Sequence, residues 1–122
     1  MNITVTVIDG ISGHPADGVK VTIVSRPAGG PPRRLGGLTD AQGNFMYSSG
    51  VERLASSEGY TVELDVDAYF TSLGIVARYK QIALLVRILN TEKDYRIGTL
   101  ITPFAHATWG VDEGDISGRA PG

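Results

Sequence analysis

Few side chains in this sequence can move a proton near neutral pH, and their spacing gathers none of them into a familiar reaction centre. The two histidines are His14, ahead of Pro15 in a turn, and His106, near the start of the last alternating segment. Two histidines without a third ligand at a metal spacing do not define a metal site. There is no cysteine, so thiol nucleophiles, disulfides and thiolate metal sites are excluded. No phosphate-cradling loop, nucleophile elbow or dinucleotide fingerprint is present, and neither metal nor cofactor is expected. The stretch that concentrates chemistry is DYRIGTLITPFAHATWG, residues 94–110. It reads as two strands joined by a Thr-Pro-Phe turn. Alternation puts Arg96, Gly98 and Leu100 on one face of the first strand, and Ala107 and Trp109 on one face of the second. A guanidinium grips a carboxylate or enolate through a planar fork of N–H groups, and an indole stacks on a ring. Glycine inside a strand costs stability and often marks a close approach by another group. A lone tryptophan near the gap left by glycine and alanine is an anchor for a flat ligand or a partner chain. His106 is a further candidate as general acid or base, although its parity turns it away from Trp109.

The elements that position these residues alternate with period two. In NITVTVID, residues Ile3, Val5 and Val7 share one face, and Thr4, Thr6 and Ile8 the other. Val19, Val21 and Ile23 share a face in the second segment. In YTVELDV, Tyr60, Val62, Leu64 and Val66 do so, opposite Thr61, Glu63 and Asp65. These are half-buried strands with one wet side. DGISGHPADG is a turn, RPAGGPPRRLGG is expected to be a long loop, and TDAQGN offers Asp40 and Gly43 for a tight hairpin turn before FMYS. Asp9 and Asp40 read as turn-formers. Two short helices are expected, in VERLASSEG and, more strongly, in DAYFTSLG, with Asp67 as N-cap and Gly74 as the stop. A long, mostly buried strand, YKQIALLVRIL, follows, and TEKD turns the chain into the strand pair. Seven or eight short strands at regular spacing predict an all-β sandwich over residues 1–112, with a polar, glycine-rich tail at 113–122.

Bulk properties narrow the partners. The chain has 122 residues, 42% hydrophobic and 20% charged, which suits one globular domain without staples. A net charge of −2 argues against nucleic acid. Arg33 and Arg34 form the only adjacent basic pair and are expected at a solvated loop tip. No apolar run reaches membrane-spanning length, and MNITVTVIDG lacks the regions of a signal peptide, so a cytoplasmic protein without membrane partners is expected.

In order and spacing, the motifs resemble the transthyretin and 5-hydroxyisourate hydrolase family over nearly the whole chain. VTVIDGISGHPADGVKVTI is similar to the family's opening strand, G-x-P turn and second strand. TDAQGNF, LDVDAYFTSLGI and YRIGTLITPFAHATW resemble its T-x-x-x-G, strand-to-helix and closing segments. The resemblance implies two four-stranded sheets with one short helix. It also implies dimers formed by edge-strand pairing, and a homotetramer of two dimers whose central channel holds the ligand or active sites. It places Thr6, Ile8, Asn44, Arg96, Gly98, Leu100, Ala107 and Trp109 on the channel wall. The hydrolase residues do not carry over. The family's first-strand histidine falls on Thr6 and its arginine on Asn44. Its second histidine falls on Arg96, the following proline on Gly98, and the closing Y-R-G-S on Trp109 to Asp112.

Opening a cyclic acyl-urea needs a polarised water and a protonatable leaving group. Thr6 and Asn44 cannot shuttle a proton at neutral pH, and Arg96 stays charged. Three readings follow. In the first, a repurposed enzyme opens, closes or isomerises a small cyclic or conjugated metabolite, with Arg96 and His106 catalytic and Thr6, Ile8, Asn44, Gly98, Leu100, Ala107 and Trp109 holding substrate. The second is a small-molecule binding protein without chemistry. The third is a purely structural partner in a hetero-complex, with the tail or the Pro/Gly loop docking on another protein; 5-hydroxyisourate hydrolysis itself ranks behind these readings.

Overall fold

The structure is a computed structural model that describes residues 2–25, 31–48, 60–87 and 94–112. Eight strands and one helix follow in the order β1 (Asn2–Asp9), β2 (Lys20–Ser25), β3 (Arg33–Leu38), β4 (Asn44–Ser48), β5 (Tyr60–Asp65), α1 (Val66–Ser72), β6 (Gln81–Val86), β7 (Tyr95–Ile101) and β8 (His106–Asp112). They build two four-stranded sheets, β4-β1-β7-β8 and β3-β2-β5-β6. The expected sandwich with one short helix is therefore the observed architecture.

Period-two alternation decides what lies between the sheets. Ile3, Val5, Val7, Val21, Val62 and Leu64 are wholly buried there, and Ile97 and Ile101 join them from β7. Each such side chain contributes about 1.5–3 kcal/mol over an exposed one. The core fixes the strand faces and so decides which residues point outward.

Several local expectations are corrected. Arg33–Leu38, expected as loop, is strand β3, paired antiparallel with β2. It lies at a sheet edge, where Gly36 and Gly37 are tolerated because only one side needs a partner. A Cβ at Gly37 would press into the Phe45 ring, so the glycine lets β4 close over β3. Arg34 stands in this strand, its Nη1 3.3 Å from Glu63 Oε1, and is not a loop tip. The turn at Asp40 forms as expected, with Asp40 Oδ1 accepting from the N–H groups of Gln42 and Asn44, both at 2.9 Å. It makes no hairpin, however, because it carries the chain from one sheet to the other. β6 is shorter than expected and lies at an edge, with Ile82 its one fully buried residue. The candidate helix at 51–59 and the tail at 113–122 lie outside the described residues, as does most of TEKD.

Helix α1 is capped two residues earlier than expected. Asp65 is the N-cap, its carboxylate accepting from the Ala68 N–H at 2.9 Å. Asp67 sits in the first turn, and its own N–H is taken by the Lys80 carbonyl at 3.0 Å. Gly74 is the stop, at φ +76°. The N–H groups of Ile75 and Gly74 return to the carbonyls of Phe70 and Thr71, both at 2.9 Å, which closes the last turn. Val66 and Phe70 fill the face toward the core. On the opposite side of its sheet from that core, β3-β2-β5-β6 bears a shallow hollow of about 440 Å³ ringed by Lys20, Arg34, Lys80, Glu63, Asp65 and Asp67. Among the described residues no helix is long and apolar enough to cross a membrane.

The helix is tied to the end of β1 by one polar contact. Asp9 is 5% exposed, and its carboxylate accepts from the Ile11 N–H at 2.8 Å and from the Tyr69 hydroxyl at 2.8 Å. Burial, then the bond to Asp9 and its negative charge, push the Tyr69 hydroxyl up from 10.0 to about 12. The folded state thus favours the neutral phenol. Its contribution is complete below pH 10 and is lost as pH rises from 10 toward 12. Tyr69→Phe is expected to lower unfolding free energy by about 1–2 kcal/mol at neutral pH, since Asp9 loses a donor. Urea denaturation checks this, and the variant should also show a shallower fall in midpoint between pH 9 and pH 11.

Candidate functional site

The outer face of β4-β1-β7-β8 collects the residues singled out in the sequence. The parallel pairing of β1 and β7 sets Thr4 beside Arg96, Thr6 beside Gly98 and Ile8 beside Leu100. The antiparallel partners extend these rows. Asn44 lies beside Thr6, Trp109 beside Gly98, and Ala107 beside Leu100. Asn44, Thr6, Gly98 and Trp109 therefore form one row straight across all four strands.

Hydrogen bonds join the polar end of that face. The Arg96 Nη1 group donates to Thr6 Oγ1 at 3.4 Å, and the Thr6 hydroxyl donates to Asn44 Oδ1 at 2.7 Å. The acceptors are thereby matched within the array. The groups assembled on this face, a guanidinium, a carboxamide and an indole, are rich in N–H donors. At the other end, Trp109 is 47% exposed, an uncommon placement for a large aromatic side chain on a strand. The close approach that Gly98 was expected to allow is made by this ring. A Cβ there would overlap indole atoms Cε2, Cζ2 and Nε1.

His106 does not join the group. It pairs with Ile101, whose side chain is in the core, so its parity is opposite to that of Ala107 and Trp109. Its ring lies 5.7 Å from that of Tyr79, and Nδ1 is 3.4 Å from Thr108 Oγ1. Thr108 in turn meets the buried Thr99 hydroxyl at 3.1 Å. Tyr79, pushed up by burial, donates to the carbonyls of Thr102 and Ala105 at 3.0 and 3.1 Å, which holds the β7–β8 turn. His106 thus belongs to a structural cluster near that turn. His14 is exposed in the β1–β2 turn. Two wall residues were not singled out, Thr4 and Met46, which flank Arg96 and Thr4 respectively. Alternation from Thr6 and from Asn44 was the available signal. Among the described residues no cluster of His, Asp or Glu could hold a metal ion.

Fold and face together define a small eight-stranded sandwich whose outer sheet surface carries a polar, tryptophan-capped row. The chain belongs to the HIUase/Transthyretin family, whose model matches residues 3–110. Among curated proteins it is 29% identical over 110 residues to the "Probable 5-hydroxyisourate hydrolase" of Schizosaccharomyces pombe, covering 88% of each chain. Among solved structures it is similar to sea bream transthyretin in complex with thyroxine, with a TM-score of 0.73, 23% identity, and coverage of 90% of this chain and 94% of that one. It is equally similar to the 5-hydroxyisourate hydrolase of Klebsiella pneumoniae, with a TM-score of 0.73, 21% identity, and coverage of 92% and 100%.

Thr6 carries both bonds of the polar array, so its removal tests what the array is for. Thr6→Val is expected to change unfolding free energy by less than about 1 kcal/mol, because water reaches Asn44 and Arg96. Urea denaturation measures this, and a loss of several kcal/mol would show that the array holds the sheet together.

Proposed function

We propose that this protein binds a small, flat, acceptor-rich anion on the outer face of β4-β1-β7-β8, and that it does so without the hydrolytic chemistry of its named relatives. The observation that carries this reading is the array of Arg96, Thr6 and Asn44 running up to a half-exposed Trp109. A guanidinium and a carboxamide receive a carboxylate or enolate, and the indole receives the ring. Among the described residues of this face none changes its proton state near neutral pH. Arg96 and His106 point to opposite faces, so they do not meet one substrate within a protomer. The geometry therefore supports the binding reading better than the repurposed-enzyme reading.

A second copy of the chain completes the site. Strands β8 and β6 end their sheets on the same side, and neither has a partner along its outer edge among the described residues. Between these edges lies an apolar cavity of about 330 Å³, lined by Leu84, Val86, Ile97 and Trp109 among others. Open edges with apolar cover favour edge-to-edge pairing. A dimer formed this way, stacked wall to wall into a homotetramer, encloses the outer face as a channel. A cytoplasmic setting is part of the same proposal.

Calorimetric titration with flat carboxylates, 2-naphthoate first, tests the binding. Wild-type protein should bind, and Arg96→Gln should weaken affinity roughly 10- to 100-fold, the equivalent of a charge-assisted hydrogen bond. Equal affinity in both proteins would remove the wall from consideration. Two companion measurements bear on the rest. Native mass should be that of a dimer or tetramer, and 5-hydroxyisourate should not be turned over above its spontaneous rate. Rapid turnover would restore the hydrolase reading suggested by the relative from Schizosaccharomyces pombe.

A further inference from the structure

Gly98 and Trp109 behave as one unit. They are direct cross-strand partners on β7 and β8. Gly98 is buried and Trp109 half-exposed, so the indole rests one side on bare backbone and turns the rest outward. With any other residue at position 98 the ring would have to stand off the sheet, because a Cβ would occupy the space of Cε2, Cζ2 and Nε1. Two consequences follow for whatever lies on this face. The height of the indole above the sheet is set at Gly98, and so is the room left for a ligand above it. Arg96 stands two residues along the same strand and on the same side, roughly 7 Å away. A ring stacked on the indole therefore keeps an attached carboxylate within reach of the guanidinium. A globular hydrocarbon of similar size meets the indole at a few atoms only, and dispersion falls steeply with each gap.

We propose that Gly98 is a positioning residue that acts through Trp109 to set the thickness of ligand this face accepts, making it selective for flat aromatic acids over globular acids of the same charge. This rests on the binding reading given above. A purely structural alternative exists, since a cross-strand aromatic ring covering a glycine stabilises a sheet on its own. The decisive readout is therefore selectivity, together with the position of the ring.

Trp109 is the single tryptophan of the chain, so its emission reports on this place alone. The experiment compares wild type, Gly98→Ala and Arg96→Gln for iodide quenching of Trp109 and for calorimetric affinity toward 2-naphthoate and adamantane-1-carboxylate. Wild type is expected to prefer 2-naphthoate. Gly98→Ala should raise the quenching constant about twofold and reduce the preference at least fivefold, while Arg96→Gln weakens both acids alike and leaves their ratio unchanged. Unaltered preference in Gly98→Ala overturns the proposal. Should that variant fail to fold, Trp109→Leu removes the shelf with Gly98 intact, and the same loss of preference is required of it. If Arg96→Gln binds both acids as wild type does, the binding reading itself fails, whatever Gly98 does. If neither acid binds wild-type protein, both readings fail together.

Discussion

The parallel pairing of β1 with β7 is the constraint on which the rest of the molecule depends. It joins the first strand to the seventh over seven residue pairs, from Ile3 beside Tyr95 to Asp9 beside Ile101. Its register is locked from the inside. Ile3, Val5 and Val7 on one strand, and Ile97 and Ile101 on the other, lie in the core, and a slip of one residue would turn each of them outward. The same register brings the Thr6 hydroxyl within reach of Arg96 and leaves Gly98 in the middle of the sheet. The arrangement of the outer face is thus inherited from the packing of the inner one.

That inheritance explains why the polar face can be built of small, unremarkable groups. No segment of the chain contains it. Asn44 comes from one edge of the sheet, Trp109 from the other, and Thr6 and Arg96 from the two central strands. Rigid strands hold side chains in place better than loops do, so a threonine backed by an asparagine suffices to give the guanidinium a fixed partner on this face. Asp9 plays a comparable part at the strand end. It fixes the β1–β2 turn with one carboxylate oxygen and the helix with the other.

Alternation made the faces of β1, β5 and β7 legible in the sequence, because each of these strands buries one side and leaves the other more open, and β8, with no buried residue among those described, follows the face of β7 through its pairing. Arg96, Gly98, Leu100, Ala107 and Trp109 followed from alternation, while the family motifs added Asn44 and joined Thr6 and Ile8 to the same wall. What could not be read was set by contacts across the fold. Strand β3 has little alternation of its own, and its glycines resemble loop until Phe45 is seen lying against Gly37. Asp65 and Asp67 are equally good caps on paper. The structure gives the cap to Asp65, and the N–H of Asp67, in the first turn, is taken by the Lys80 carbonyl thirteen residues away in the chain. The turn at Asp40 has hairpin chemistry, yet its strands part into different sheets, which local sequence does not encode. For Gly98, sequence announced a close approach without naming the visitor, which proves to be the chain's own tryptophan.

The two outer surfaces of the sandwich differ in a way that bears on growth. One carries the indole and its donors. The other carries three cationic and three anionic side chains around a hollow, Lys20, Arg34 and Lys80 against Glu63, Asp65 and Asp67. Ionised groups at the centre of that second surface keep their water, since stripping it would cost more than a flat contact returns. In the proposed assembly, subunits stacked through the tryptophan-bearing side would turn these hydrated surfaces outward. Layering in that assembly would stop at two, which would steer a β-rich protein with open strand edges toward a closed, countable particle and away from an endless fibre.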